Sequence, residues 1–175
     1  SSQPSRTMPT TTTRDFLDYE RLITGDGDND ISIIDYVRHS RIHTGRENGA
    51  ISIGGEVDYS LILTGSGADS IAIGGEVNDS RIHSGSGNDF LSFNSHVYDS
   101  KVYSGSGDDS VVFQSNINNS RVFTGSGDDQ LVLNGLANES NIHMSSGKDF
   151  LMSYGGFSSA SVSTGSGDDS AVVVG

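Results

Sequence analysis

The sequence contains no cysteine and no tryptophan, and it has only 2 prolines among 175 residues. Without cysteine there is no disulfide framework, no thiolate metal site and no cysteine nucleophile. No run of about 18 apolar residues occurs, so we expect no membrane span. Basic residues are also scarce, since 10 Lys and Arg stand against 23 Asp and Glu and give a net charge of −13. Such a chain repels phosphates, and we expect no nucleic-acid partner.

Hydrophobic residues make up 33% of the chain, a fraction that is low for a folded domain. The 23 glycines bring the apolar total to about 46%, which lies in the range of ordinary globular proteins. The composition therefore permits an ordered core. At this length a single domain is expected.

An internal repeat of 20 residues runs through the chain without insertion. It is marked by Thr-Gly or Ser-Gly pairs, as at Thr64-Gly65, Ser84-Gly85 and Ser104-Gly105, and it recurs eight times. The unit is too short for helical or propeller repeats, and it holds short alternating apolar stretches bounded by Gly, Ser, Asp and Asn. This pattern is typical of a β-solenoid.

Each repeat places apolar residues in three columns. In one unit they are Ile71 and Ile73, then Val77, then Ile82, and the spacing of two within the first stretch indicates a strand with one buried face. Ser80 lies two residues before Ile82 and is expected to point inward, forming a serine hydrogen-bond ladder with its equivalents.

The sequence therefore predicts an all-β fold, a right-handed parallel β-solenoid of about eight 20-residue coils. The solenoid is expected over 15–175. Residues 1–14 show no apolar pattern, and we expect an extended N-terminal tail that lies along the rod or docks on a partner.

One corner of each coil carries the pattern x-G-x-G-x-D-x-U-x, where U is apolar; residues 104–112 are Ser-Gly-Ser-Gly-Asp-Asp-Ser-Val-Val. This corner resembles the RTX calcium-binding β-roll repeat G-G-x-G-x-D-x-U-x, a relative of the right-handed parallel β-helix repeat proteins. The resemblance covers the corner and the first strand of each coil, under half of the chain.

The resemblance implies that several Ca²⁺ ions lie between successive corners, held by turn carbonyls and by the motif aspartate of both coils. It assigns as candidate metal ligands the carboxylates Asp69, Asp89, Asp109, Asp129, Asp149 and Asp169 and the corner glycines Gly65, Gly85, Gly105 and Gly125. Three sites between the third and sixth coils are the expected set.

Electrostatics supports a cation at this corner independently of the family. Carboxylates stacked about 4.8 Å apart repel by roughly 3–4 kcal/mol per pair at an effective dielectric of 20. Calcium suits such a column because it accepts six to eight oxygen ligands with loose geometry, whereas transition metals prefer nitrogen and sulfur.

The chain departs from the RTX pattern at several points. The first glycine of the motif is Thr or Ser throughout, and the motif aspartate is replaced by Asn29 in the first coil and by Gly49 in the second. In the seventh coil Lys148 stands where it could replace a cation. The alternative is that these corners bind no metal and that their aspartates cap backbone N–H groups.

A second candidate feature lies on the outward side of the third apolar column. Basic and aromatic residues alternate there and form a possible partner face for an acidic glycan or for the tail of a partner: Arg81, Lys101, Tyr103, Arg121 and Phe123. Asp79 and Asp99, one strand position away, are expected to form surface ion pairs with Arg81 and Lys101.

Catalysis is not expected, because no long loop interrupts the period to build a cleft. We expect a non-enzymatic structural solenoid, stabilised by calcium and serving as a surface, adhesive or assembly module of the coat or virion type. A polysaccharide-binding or polysaccharide-cleaving β-helix is the alternative. The expected location is extracellular or on the cell surface, with a virion as the alternative. A protein partner or a second copy is expected at the C-terminal end, which stops in mid-strand.

Overall fold

A computed structural model describes residues 10–175, which form 25 β-strands and no helix. No segment of these residues is a helix long and apolar enough to cross a membrane. The coils contribute strands to three parallel sheets, and within each sheet every strand except the first and the last pairs with its equivalents in the coils before and after it. The all-β solenoid of about eight coils is therefore confirmed.

The strands are numbered along the chain. Sheet 1 consists of β1 (Thr10–Arg14), β4 (Asn29–Ile33), β7 (Gly49–Ile53), β10 (Ser70–Ile73), β13 (Phe90–Phe93), β16 (Ser110–Phe113), β19 (Gln130–Leu133), β22 (Phe150–Ser153) and β25 (Ser170–Val173). Sheet 2 consists of β2 (Leu17–Asp18), β5 (Val37–Arg38), β8 (Val57–Asp58), β11 (Val77–Asn78), β14 (Val97–Tyr98), β17 (Ile117–Asn118), β20 (Ala137–Asn138) and β23 (Phe157–Ser158). Sheet 3 consists of β3 (Arg21–Ile23), β6 (Arg41–Gly45), β9 (Leu61–Ser66), β12 (Arg81–Ser86), β15 (Lys101–Ser106), β18 (Arg121–Ser126), β21 (Asn141–His143) and β24 (Ser161–Ser163).

Partner residues in the sheets are offset by 20, with one difference at the first strand. Thr12 of β1 pairs with Ile31 of β4, an offset of 19. Residues 10–14, which the sequence places in the extended N-terminal tail, form a strand of sheet 1. Residues 1–9 lie outside the described part of the chain. Threonine favours strands because its branched side chain suits a pleated surface.

The three predicted apolar columns converge on one core. Ile71 of sheet 1, Val77 of sheet 2 and Ile82 of sheet 3 have no exposed surface, and their equivalents in neighbouring coils pack on them. Phe93 and Phe113 stack inside this core with ring centroids 4.7 Å apart. The period of 20 keeps like residues in contact from coil to coil, so the core is a continuous row.

The serine ladder also forms as predicted. Ser60 is buried, its Oγ accepts a hydrogen bond from the Ser40 N–H at 3.0 Å, and its hydroxyl donates to the carbonyl of Asp58 at 2.7 Å. The same pair of bonds recurs at Ser80. This ladder supplies partners for backbone groups that the corner between sheets 2 and 3 would otherwise leave buried and unpaired.

The corner between sheets 2 and 3 has a residue with a left-handed backbone in every coil, although none of these residues is glycine. The φ angles lie between 46° and 54° at Tyr19, His39, Tyr59, Asp79, Asp99, Asn119, Glu139 and Ser159, and the middle six of these directly precede a ladder serine. For most side chains this conformation costs roughly 1–2 kcal/mol, and asparagine tolerates it better than others. The tight corner between sheets 2 and 3 imposes this strain in every coil.

Replacing Glu139 with Asn is expected to stabilise the solenoid by about 0.5–1 kcal/mol, because asparagine adopts a left-handed backbone more readily than glutamate. For a chain of this length the melting temperature should rise by about 1–4 °C, as measured by circular dichroism. Glu76→Asn is the control, since Glu76 is not among the residues with positive φ. An equal rise in both variants would show that the gain comes from removing negative charge.

Candidate functional sites

The motif aspartates lie inside the solenoid and not on a water-accessible edge. We call them the Asp column: Asp69, Asp89, Asp109, Asp129 and Asp149, each no more than 3% exposed. Asp169, in the last coil, is half-buried. In each, Oδ1 accepts a hydrogen bond from the backbone N–H of the previous coil, as from Asp89 to Asp109 at 2.9 Å. The N–H capping that was the alternative to metal binding is thus present, through one oxygen of each carboxyl.

The second oxygen of each carboxyl in the Asp column is buried and has no hydrogen-bond partner. Asn29, which occupies the same position in the first coil, indicates what surrounds this atom. Its amide nitrogen donates to the carbonyls of Gly25 at 2.8 Å, Gly27 at 2.6 Å and Thr44 at 2.9 Å. Three carbonyl oxygens therefore converge there, and a carboxylate oxygen in the same place needs a proton or a cation between itself and them.

Burial makes the charged form of the column costly. It raises the pKa of Asp89 to about 6 and that of Asp109 to about 7, although the backbone N–H groups and the nearby Ser84 and Ser104 hydroxyls act to lower both pKa values. Burial also raises the pKa values of Asp69, Asp129 and Asp149. The negative charge of five stacked carboxyls is thus only partly compensated by the protein's own groups.

Corner residues one position before the Asp column face outward. The side-chain oxygens of Asn88, Asp108 and Asp128 are exposed and accept hydrogen bonds from the N–H of the following coil at 2.8–2.9 Å. Lys148 is exposed in this outer row and forms no ion pair among the described residues. The structure thus places Lys148 in the outer row and without a carboxylate partner within residues 10–175.

The corner glycines allow the coils to approach closely. Gly65, Gly85, Gly105 and Gly125 have φ angles from 105° to 116°. A Cβ on Gly105 would lie 1.9 Å from the carbonyl oxygen of Gly85. At these four positions a side chain would overlap the backbone of the preceding coil, which favours glycine. In the seventh coil Ser145 occupies the equivalent position, with a φ of 76°.

The residue before each corner glycine is Thr or Ser where the RTX pattern has glycine, and its hydroxyl forms hydrogen bonds between coils. Thr64 and Ser84 are buried, and the Thr64 hydroxyl donates to the carbonyl of Ser84 at 2.8 Å. Neither has a positive φ. Thr and Ser at the first motif position thus link the coils through a second hydroxyl ladder beside the Asp column.

The donor set of the Asp column fits a hard cation. It offers carboxylate oxygens and backbone carbonyls and no nitrogen or sulfur, which is the chemistry that Ca²⁺ accepts. Among residues 10–175 no three His, Cys, Asp or Glu side chains form a metal-binding cluster. Any ion there would take most of its ligands from backbone carbonyls, such as those equivalent to the three around the Asn29 amide.

A scan of family models, a search of curated proteins and a search of solved structures each find no match to this chain. The likeness to the RTX β-roll thus remains a resemblance of the corner motif.

The predicted partner face is assembled on sheet 3. Arg81, Lys101 and Arg121 are direct neighbours on β12, β15 and β18. The rings of Tyr103 and Phe123 stack at 5.2 Å, and the Arg81 guanidinium lies 4.8 Å from the Tyr103 ring centroid. Basic and aromatic groups thus form two adjacent rows on one outer face.

The predicted surface pairs of Asp79 with Arg81 and of Asp99 with Lys101 do not form. Within residues 10–175 only Arg38 makes ion pairs, with Glu56 and Asp58. Asp99 instead accepts a hydrogen bond from the Asn119 side chain of the next coil. The basic residues of sheet 3 are therefore left without carboxylate partners.

Sequence reasoning missed a groove of about 490 Å³ along the corner between sheets 2 and 3. One wall is the left-handed corner column, and it includes His39 and Tyr59. The other wall is the basic row, beginning at Arg21 and Arg41, and the serine ladder lies between them. The period of 20 predicts that Tyr19, His39 and Tyr59 share one column. It does not predict the positive φ, which turns His39 and Tyr59 toward the basic row.

Proposed function

We propose that this chain is a non-enzymatic structural β-solenoid, stabilised by calcium, that serves as a surface, adhesive or assembly module. The observation that carries the proposal is the unpartnered carboxyl oxygen of each buried aspartate, at a position where Asn29 shows three carbonyls converging. A cation would neutralise this arrangement in the coils that carry the Asp column. Extracellular fluids contain calcium at concentrations high enough for weak sites, which supports an extracellular, cell-surface or virion location.

The residues that would hold the ions are the Asp column with the carbonyls of the adjoining corners, among them Gly65, Gly85, Gly105 and Gly125. Asp89, Asp109, Asp129 and Asp149 have carboxyl neighbours in the coils on both sides. We place several ions along this column, three of them between the third and sixth coils. When bound, Ca²⁺ supplies positive charge and joins adjacent coils. The aspartates hold the corner N–H groups in either case.

The non-enzymatic part of the proposal is supported by the regularity of the surface. Every coil keeps the period of 20, and no inserted loop interrupts the described strands. Incubation with carboxylated and sulfated polysaccharides, followed by size analysis of the polymers, tests this part. Shortened chains would contradict it.

Calcium binding is tested by thermal unfolding in EGTA and in millimolar CaCl₂, with titration calorimetry for the number of ions. An ion that binds only the folded state at 100 times its Kd adds about 2.7 kcal/mol per site. Three sites would raise the melting temperature by more than 10 °C. A wild type with no shift and no heat of binding contradicts the proposal.

Asp109→Asn and Asp108→Asn form a matched pair for this experiment. Each removes one carboxylate, but Asp109 lies in the buried column and Asp108 in the exposed outer row. Asparagine at 109 can bond as Asn29 does, so the fold is expected to persist. Only Asp109→Asn should lower the number of bound ions and the calcium-dependent rise in melting temperature. Equal losses in both variants would indicate surface screening and not a buried site.

A further inference from the structure

Half of the basic residues of this acidic protein lie in one row. Of the 10 Lys and Arg in the chain, five occupy equivalent positions at the start of the sheet 3 strands: Arg21, Arg41, Arg81, Lys101 and Arg121. Only Leu61 interrupts the row over these six coils. Among residues 10–175 none of the five forms an ion pair, because the ion pairs there involve Arg38 alone. A positive stripe thus runs along the rod on a chain whose net charge is −13.

The basic row forms one wall of the groove between sheets 2 and 3, which spans residues from Glu20 to Lys101. Arg41 and Arg81 reach it from β6 and β12. The Nε of Arg41 is buried and has no hydrogen-bond partner. A donor left unpaired in a groove favours an acceptor from a ligand, since an unsatisfied buried donor costs about 1–3 kcal/mol.

The opposite wall changes character along the rod. Tyr19, His39 and Tyr59 stack on one another with centroids 4.4 and 5.2 Å apart. The next residues in this wall are Asp79 and Asp99. Tyr59 is 59% exposed, and its second face has no aromatic neighbour because Asp79 follows it. The groove thus offers an aromatic face, guanidinium donors and carboxylate acceptors within a few coils.

We propose that this groove binds an acidic polysaccharide lying along the rod axis. The guanidinium groups of Arg41 and Arg81 and the Lys101 ammonium would bind its carboxylate or sulfate groups, since guanidinium suits such anions in bidentate geometry. The exposed face of Tyr59 would pack on a sugar ring. The hydroxyls of the sugar would donate to Asp79 and Asp99.

The mixture of charges favours a sugar polymer over the other polyanions. Nucleic acid presents closely spaced phosphates, which the net negative charge of this chain repels. An acidic peptide offers side chains that mainly accept hydrogen bonds, so Asp79 and Asp99 would repel it. The strands of sheet 3 from β6 to β15 are paired on both sides, so a peptide has no free strand edge to join along that part of the groove.

The test uses titration calorimetry with alginate as the carboxylated polymer, heparin as the sulfated polymer and dextran as the neutral control. The wild type is expected to bind one or both acidic polymers and not dextran. Combining Arg41→Ala, Arg81→Ala and Lys101→Ala should weaken binding about 10-fold or more, given up to about 1 kcal/mol for each exposed pair. Tyr59→Ala should weaken it roughly 2- to 10-fold.

The matched control combines Arg14→Ala, Arg46→Ala and Lys148→Ala. It also removes two arginines and one lysine, but from exposed positions outside the groove. Its affinity should stay within about 2-fold of the wild type. Equal weakening in both triple variants would overturn the proposal, because binding would then depend on net charge alone. Failure of the wild type to bind either acidic polymer, or equal binding of duplex DNA, would overturn it as well.

The groove contains none of the Asp column, so the binding experiment is separate from the calcium proposal. Titrations are run in EGTA and in CaCl₂ with circular dichroism to confirm that the protein is folded. Binding that persists in EGTA would support the groove even if calcium has no effect on unfolding.

Discussion

In the absence of metal, the folded protein is expected to lose stability as the pH rises from 5.5 to 7.5. Burial raises the pKa of Asp109 to about 7 and that of Asp89 to about 6, above the value of 3.8 for an unburied aspartate. At pH values between 3.8 and the raised pKa of each aspartate, the folded state holds protons that the unfolded state has released. Stability therefore falls with rising pH across that window, and it is fully present only below the unfolded pKa.

The expected loss is about 3 kcal/mol between pH 5.5 and 7.5. Each pKa unit corresponds to 1.36 kcal/mol, so Asp109 contributes about 2 kcal/mol and Asp89 somewhat under 1 kcal/mol in this range. The melting temperature in EGTA should then fall by about 10 °C. The range begins at pH 5.5 because the sequence pI is about 4.4, where a protein of low net charge precipitates readily.

The variant Asp109→Asn isolates the column from other titrating groups. His83 acts in the opposite direction, because burial and then the Arg81 charge lower its pKa. This histidine is unchanged in the variant, so the difference between the two pH profiles belongs to Asp109. A wild type whose melting temperature is flat or rises over this range, with the same slope in Asp109→Asn, would show that the column is not protonated in the folded state.

Calcium should reverse this pH dependence if it binds the Asp column. The ion binds the deprotonated carboxylates and competes with their protons, so its affinity rises with pH. The melting temperature in CaCl₂ should therefore rise or stay constant where it falls in EGTA. Opposite pH dependences of the melting temperature in EGTA and in CaCl₂ would show that protons and calcium bind the same carboxyls.

The fold could be predicted in full outline because the repeat keeps a strict period. One spacing specifies three columns of buried side chains, and Ile71, Val77 and Ile82 occupy them as expected. The first strand escaped detection for two physical reasons. Thr10–Arg14 has no apolar residue, and Thr12 pairs with Ile31 at an offset of 19. A search for a period of 20 could not include it.

The alternation of inward and outward side chains along a strand predicts that the Asp column lies inside the solenoid. Asp69 precedes Ile71 by two residues, and side chains two apart in an extended segment share a face. The same reasoning places Ser80 inward. Residue type argues against this placement for aspartate, because carboxylates are rarely buried without a partner. In the structure one oxygen of each carboxyl has a partner, the backbone N–H of the previous coil.

The groove could not be derived from sequence, since it depends on a backbone conformation that these residues seldom adopt. Tyr59 and Asp79 have φ angles of 47°, which non-glycine residues reach only under constraint from their surroundings. The constraint comes from two neighbouring sheets that must meet within a few residues. No local preference of tyrosine or aspartate indicates it.

Replacing Gly105 with Ala is expected to destabilise the solenoid strongly. The new Cβ would lie 1.9 Å from the Gly85 carbonyl oxygen, and the backbone φ of 116° is unsuited to any side chain. Relief of that overlap requires the two corners to separate, which breaks the hydrogen bonds on either side. We expect a loss of at least 4 kcal/mol, beyond the usual range for point substitutions. This corresponds to about 8–16 °C in melting temperature.

Gly25→Ala is the matched control for this prediction. Gly25 also has a positive φ, of 84°, but a Cβ there would meet nothing within 4 Å. Its loss should be about 1–2 kcal/mol, the cost of the left-handed backbone alone. The difference between the two variants therefore measures the close approach of the coils. Similar losses would show that adjacent corners can separate without cost, and the spacing that stacks Asp89 beneath Asp109 would then not be imposed by the glycines.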